Sequence, residues 1–184
     1  ITSFSDGTPQ ASACSTLYPD IKRSTLGMYQ WSFTIAKAQL TRQTATPNSE
    51  WQYQFTLPND MLNGVPRSVR TSGSAGSAIY KNWEINQASD GTTVLMTDSL
   101  TIFIDYQKAV GETLMPHYFV QLLGYQVAWH LAEVITDQTT KSQYWREIAL
   151  GTATENQRGG YFRQAANIDA GGQTPSVVGD YLLT

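Results

Sequence analysis

Residues 51–57, Trp-Gln-Tyr-Gln-Phe-Thr-Leu, place a large apolar side chain at every second position and then stop at Pro58. A period of two marks a strand with one buried face, and proline, which has no N–H to give to a ladder, ends it. From residue 112 onward the spacing changes. Met115, Phe119, Leu122, Leu123, Tyr125 or Gln126, Trp129 and Ala132 recur at helical intervals, with Pro116 near the start. The expected fold class is therefore α+β: an antiparallel helical bundle with an inserted antiparallel β-sheet or meander and an extended C-terminal tail.

The rest of the chain fits around those two signals. Asp6-Gly7 makes a turn, Thr8 can cap a helix and Pro9 suits its first position. Ala11, Cys14, Leu17, Ile21, Thr25 and Met28 continue at helical spacing, and Pro19 among them predicts a kink. Residues 31–42 alternate as a strand and pair with 50–57 across a loop of polar residues. A short strand at 65–71 and a Gly-Ser loop at 73–77 follow. Residues 78–85 pair with 92–97 across Asp90-Gly91, a strong hairpin signal. Residues 99–106 then put Leu100, Ile102, Ile104 and Tyr106 on one face, the sheet being wet on its other side. A second C-terminal helix carries Tyr144, Trp145, Ile148 and Ala149 from near Thr140 to about Arg158, ended by Gly159-Gly160. The expected division is a helical bundle at 1–30 and 112–158, a β insertion at 31–110, and a tail at 159–184. The expected core comprises Leu26, Trp31, Phe33, Trp51, Tyr53, Phe55, Leu57, Pro58, Ile104, Tyr106, Phe119, Leu122 and Leu131.

Composition narrows the function. Twelve Lys and Arg against fifteen Asp and Glu give a net charge of -3, with the cations scattered, so there is no footprint for neutralising nucleic-acid phosphates. Only 15% of residues are charged, and uncharged polar side chains make up the difference, a surface suited to protein contacts. A single cysteine, Cys14, allows neither a disulfide framework nor a Cys-rich zinc site, and is read as an apolar helix-face residue. No run of eighteen apolar residues predicts a membrane span, and no membrane partner is expected. No secretory leader is read, and the start at Ile1 suggests that a short N-terminal piece precedes it.

Candidates for chemistry are few. His130 and Glu133 share the i, i+3 spacing of carboxylate-bridged metal bundles, but such sites need the pair twice with two further glutamates, so a solvated helix face is expected. His117 reads as a first-turn surface residue. The Gly-Ser loop lacks the Lys-Ser/Thr of a phosphate loop, and no serine sits in a G-x-S-x-G turn. Asp60, Asp98 and Asp105 form no dyad, Asp105 being the one acid expected within a strand, opposite Ile104. No catalytic, cofactor-binding or metal-ligating residue is assigned, and the chain reads as non-enzymatic with no cofactor. The aromatics at 31, 51, 53, 80 and 83 could form a ligand platform, with cross-strand pairing as the simpler account.

The order of these features resembles the tail tubular protein A, or head-to-tail adaptor, family of short-tailed bacteriophages. The residues that carry it are Leu26 with Trp31, Phe33, Ala36, Lys37 and Leu40; Trp51, Tyr53, Phe55, Leu57, Pro58 and Asp60; and Ile104, Tyr106, Val110, Pro116, Phe119, Leu122, Leu131 and Ala132. The likeness spans about residues 5–160. It departs from the family where Thr34-Ile35 separate Phe33 from Ala36, at Pro19, and at Met61-Leu62-Asn63. The resemblance implies a virion protein of the phage neck: a homo-oligomeric ring, typically of twelve copies, joining the portal protein to the tail nozzle, with genomic DNA passing through its channel without specific binding. Tyr161, Phe162, Val177, Val178, Tyr181, Leu182 and Leu183 on the tail would then contact a neighbouring subunit or the portal. The alternatives are another neck or stopper ring of a virion and, in a different class, a module binding a small ligand or carbohydrate on its aromatic sheet.

Overall fold

The computed structural model describes residues 3–47 and 49–172. The chain forms two compact units, a helical one of Ile1–Phe33 with Glu112–Thr184 and a β unit of Thr34–Gly111 inserted between them in the sequence. The fold is α+β, with antiparallel pairing throughout both of its sheets.

In the helical unit, α1 spans Pro9–Gly27, α2 His117–Thr136, α3 Thr139–Leu150 and α4 Gly160–Ala170. Thr8 Oγ1 accepts the Ala11 N–H at 3.2 Å, the N-terminal cap that Thr8-Pro9 foretold. The helix continues through Pro19 as one element and buries Ala11, Cys14, Ile21, Thr25 and Leu26. Asp137, in the left-handed region at φ 53°, ends α2 and reverses the chain directly into α3. At α3 the structure departs from the expected helix to about residue 158. Gly151, at φ 80°, ends it at Leu150, and a 3-10 turn at Ala153–Glu155 follows under a capping box between Thr152 and Glu155.

A further departure is α4. Gly159-Gly160, expected to begin an extended tail, instead starts this helix, with Gly160 at φ 53°. Phe162, Ala165 and Asp169 are its buried residues, spaced for one helical face. Of the residues expected on a tail, Tyr161 and Phe162 thus lie on α4; Val177, Val178, Tyr181, Leu182 and Leu183 lie outside the described residues.

Trp31 and Phe33 also sit elsewhere than expected. They belong to the helical unit rather than to a strand: Ser32–Thr34 is a 3-10 turn, and the first strand begins only at Ile35. Trp31 is fully buried, its ring centroid 5.2 Å from that of Phe119, 5.0 Å from Tyr29 and 6.1 Å from Phe162. Its indole N–H donates to the Thr25 carbonyl at 3.3 Å. A side chain with this much apolar area gains more from a pocket of several aromatic rings than from one face of a sheet.

The β unit contains β1 (Ile35–Gln39), β2 (Thr41–Arg42), β3 (Tyr53–Thr56), β4 (Ser68–Arg70), β5 (Trp83–Gln87), β6 (Thr93–Thr97) and β7 (Phe103–Gln107). One sheet has the order β1-β7-β4 and the other β2-β3-β6-β5. The hairpin across Asp90-Gly91 forms, but its first strand is Trp83–Gln87 rather than 78–85, with Gln87 facing Thr93 and Trp83 facing Thr97. The expected pairing of 31–42 with 50–57 holds only for Thr41-Arg42, which face Thr56 and Phe55. Residues 35–39 pair with β7 instead. Leu40, buried between them and donating its N–H to Ile102 O at 2.9 Å, is where the chain crosses from one sheet to the other.

Phe55, Leu95, Val69, Ile104 and Tyr106 come from both sheets and share one cluster with Leu40, Met61 and Ile102, so the sheets pack face to face. Tyr53, Leu57, Tyr80, Trp83, Ala36 and Ala38 edge it. Leu100, expected on that face, precedes the strand and is 62% exposed. Trp51 is not in line with Tyr53 and Phe55; it lies ahead of β3 and covers Ala88, Val94 and Met96 on the opposite face, its indole N–H donating to Glu84 at 3.1 Å. That face is therefore partly dry, and Glu84 joins Asp105 as an acid within a strand. Of the other expected core residues, Leu26, Phe119 and Leu122 are buried, while Phe33, Pro58 and Leu131 are half-buried.

Candidate functional site

Four surfaces hold side chains that do more than fill a core. The first is the outer face of α2. Its inner face buries Phe119, Leu122, Leu123 and Gln126. Val120, Gly124, Val127, Leu131 and Val134 then follow one another at alternating steps of four and three, a second stripe on the same helix. Val120 is 47% and Val134 61% exposed, and Val127 and Leu131 are half-buried. Glu133 is the one Asp, Glu, Lys or Arg in the twenty residues of α2. Surface helices commonly carry a charged outer face, and this one leaves apolar positions exposed among His117, Gln121, His130 and Glu133. No helix among the described residues is long and apolar enough to cross a membrane.

The second is the joint between the 29–33 segment, α2 and α4. Asp169 is buried at the end of α4, and its carboxylate accepts the Ser32 N–H at 2.8 Å, the Ser32 hydroxyl at 2.7 Å and the Tyr118 hydroxyl at 2.5 Å. Burial first, then the bond to Asp169 and its charge, push the Tyr118 hydroxyl up to about 12. Tyr161 Oη donates to Gln121 at 2.9 Å and its ring meets Tyr125, while Phe162 is buried against Tyr29 and Trp31. Of these two aromatics, expected from the sequence to contact another chain, Phe162 is buried within the helical unit and Tyr161 is half-buried against α2. Asp169 was not singled out in the sequence; an acid near a Gly-Gly pair carries no periodic signal, and its partners are remote in the chain.

The third is a groove of about 480 Å³ between residues 28–30 and α4, with Met28, Phe162 and Ala166 on its floor and Arg158, Arg163 and Asn167 along its edge. Neither guanidinium has an ion pair among the described residues.

The fourth lies on the outer face of the three-stranded sheet. Ser68, Asp105 and Lys37 stand abreast on neighbouring strands. Asp105 accepts from Ser68 Oγ and Arg70 Nη1, both at 2.7 Å, and Lys37 Nζ is 4.0 Å from its other oxygen. Burial works to raise the Asp105 pKa, but the two hydrogen bonds and the charges of Arg70 and Lys37 outweigh it and hold the group below its ordinary 3.8. A cavity of about 410 Å³ opens between this ladder, Phe103 and the 72–77 loop.

The remaining candidates from the sequence do not converge. Asp60 accepts the Tyr106 hydroxyl at 3.0 Å and lies 3.6 Å from Lys108 Nζ, whereas Asp98 accepts the Gln52 N–H at 3.1 Å. His130 stacks on Trp129, with ring centroids 4.1 Å apart, and His117 opens α2 at its surface. Among the described residues no group of three or more His, Cys, Asp and Glu could hold a metal. The aromatics at 31, 51, 53, 80 and 83 make no common plate: Trp31 is in the helical unit, Trp51 faces away from the sandwich, and Tyr53, Tyr80 and Trp83 edge its interior. Set against known proteins, the chain matches no family model and no curated protein.

Proposed function

We propose that this chain is a structural virion protein, a head-to-tail adaptor whose copies close into a ring between the portal and the tail nozzle of a short-tailed bacteriophage and leave an axial channel for the genome. The observation that carries the reading is the second apolar stripe of α2. Covering a stripe of this kind, on a helix with a single charged residue, with another protein surface removes apolar area from water and so favours assembly. A sister copy can approach it without charge repulsion, and contacts between unlike surfaces of identical chains close into a ring when the rotation permits. The resemblance in residues 26–60 and 104–132 names the kind of ring. The net charge of -3 suits a channel that does not retain DNA.

The test is electron microscopy of the purified chain mixed with portal assemblies. Rings seated on the portal are the expected result, with a monomer when the portal is omitted. A chain that stays monomeric beside the portal overturns the proposal, as does specific uptake of a small ligand or sugar by the monomer.

A further inference from the structure

We propose that the groove between residues 28–30 and α4 is the seat of this chain's own residues 173–184, which lie beyond the described part of the chain. Three observations favour that occupant. The groove combines an apolar floor of Met28, Phe162 and Ala166 with the guanidiniums of Arg158 and Arg163, which have no ion pair among the described residues. Residues 173–184 combine Val177, Val178, Tyr181, Leu182 and Leu183 with one acid, Asp180, and no base. The chemistry is matched: a carboxylate for a pair of guanidiniums, and aliphatic side chains for the floor beneath them.

The reach is matched as well. The segment leaves from the end of α4, whose own residues 162–167 form one wall of the groove, through Gly171-Gly172. Running back along α4 from Gly172 to Arg163 covers roughly 14 Å at the helical rise. The eight residues from Gly172 to Asp180 span up to roughly 26 Å when extended. Asp180 therefore reaches Arg163 with slack for the turn, and residues 181–183 fall beyond it toward Arg158. A segment tethered this closely to its site has a high effective concentration, so weak individual contacts suffice.

The proposal concerns the lone subunit and stands apart from the ring reading, because the α2 stripe contributes nothing to the groove. It is tested in the full-length chain with a nitroxide on Ser176→Cys and the buried thiol removed by Cys14→Ala. The expected spectrum is slow-moving and unchanged on extensive dilution. It becomes several-fold faster in Arg158→Glu/Arg163→Glu, and slow again when Asp180→Arg is added to that pair. Four outcomes overturn the proposal: fast motion in the unaltered groove, slow motion that is lost on dilution (the segment then sits on a second copy), slow motion indifferent to the charge reversal, or no recovery on adding Asp180→Arg. The thermal transition of each variant, followed by circular dichroism, shows that the groove is still folded when its spectrum is read.

Discussion

Asp169 is the polar fastening of α4 to the 29–33 segment and α2, beside the packing of Tyr161 and Phe162. Its buried carboxylate satisfies two donors of Ser32 and the hydroxyl of Tyr118. Asp169→Ala leaves these donors without an acceptor, and we expect a loss of about 2–4 kcal/mol in urea unfolding, at the upper end because more than one buried donor is stranded. Tyr118 reports the same joint through its titration. The unfolded phenol ionises near its ordinary 10.0, whereas the folded one holds its proton to about 12. Above pH 10 the unfolded chain thus releases a proton that the folded chain keeps, so this stabilisation is fully present below 10 and is lost as the pH rises toward 12. Tyr18, bonded to Glu112 and likewise pushed up to about 12, first by burial, acts in the same direction. Stability measured against pH should fall through this alkaline window, and Tyr118→Phe should make the fall shallower while leaving the contribution of Tyr18.

At the scale of elements, the turn between α3 and α4 is built from glycines that other residues cannot replace. A Cβ on Gly160, already at φ 53°, would come within 2.6 Å of both Gly151 N and Ile148 O. Gly160→Ala should cost about 1–3 kcal/mol, read as a lowered urea midpoint with an unchanged slope. The same glycine pair explains why α4 was not legible beforehand. Gly159-Gly160 is as good a stop signal as it is a start, and one eleven-residue helix with three inward positions shows too few repeats to tip the balance. The outer stripe of α2 makes the opposite prediction, of a change in assembly without a change in fold. Val120→Lys with Val134→Lys alters two exposed positions, so thermal stability should move by no more than about 0.5 kcal/mol. Ring formation on the portal, followed by sedimentation, should nevertheless be lost, because a charge placed in a covered apolar seam must be desolvated.

At the scale of the whole molecule, both units carry groups that respond to alkali and to acid: burial and Asp60 raise Tyr106 of the β unit as burial raises Tyr18 and Tyr118, and Lys22 lowers Glu112 of the helical unit. The two tyrosines pushed up to about 12, Tyr18 and Tyr118, lie in the helical unit. The β unit has its own acid-side group in Asp105, whose pKa is held down by Ser68, Arg70 and Lys37 against the opposing effect of burial. Its contribution is present above 3.8 and is lost as the pH falls through the lower folded value. Arg70→Ala removes the 2.7 Å bond and the nearest cation, so the β unit should become less stable at neutral pH and its acid midpoint should move upward. Proton exchange resolved along the chain separates this from the helical unit, which should be unaffected.

Local periodicity was enough to establish the class of fold, the Thr8-Pro9 start of α1, the β5–β6 hairpin and the inner face of α2, because each depends on residues within a turn or a hairpin of one another. A buried face imprints its own spacing on the chain, and that spacing can be read without knowing what covers it. The identity of the covering partner could not be read in this way. Trp31 looked like a strand marker until Phe119 and Phe162 closed around it, and residues 35–39 looked bound for β3 until β7 claimed them. Asp169 meets Ser32 across 137 positions of sequence. Pairings of that kind are selected by which closed arrangement of the whole chain leaves the fewest buried polar groups unmet and the least apolar area in water, a choice among distant partners that no stretch of a dozen residues contains.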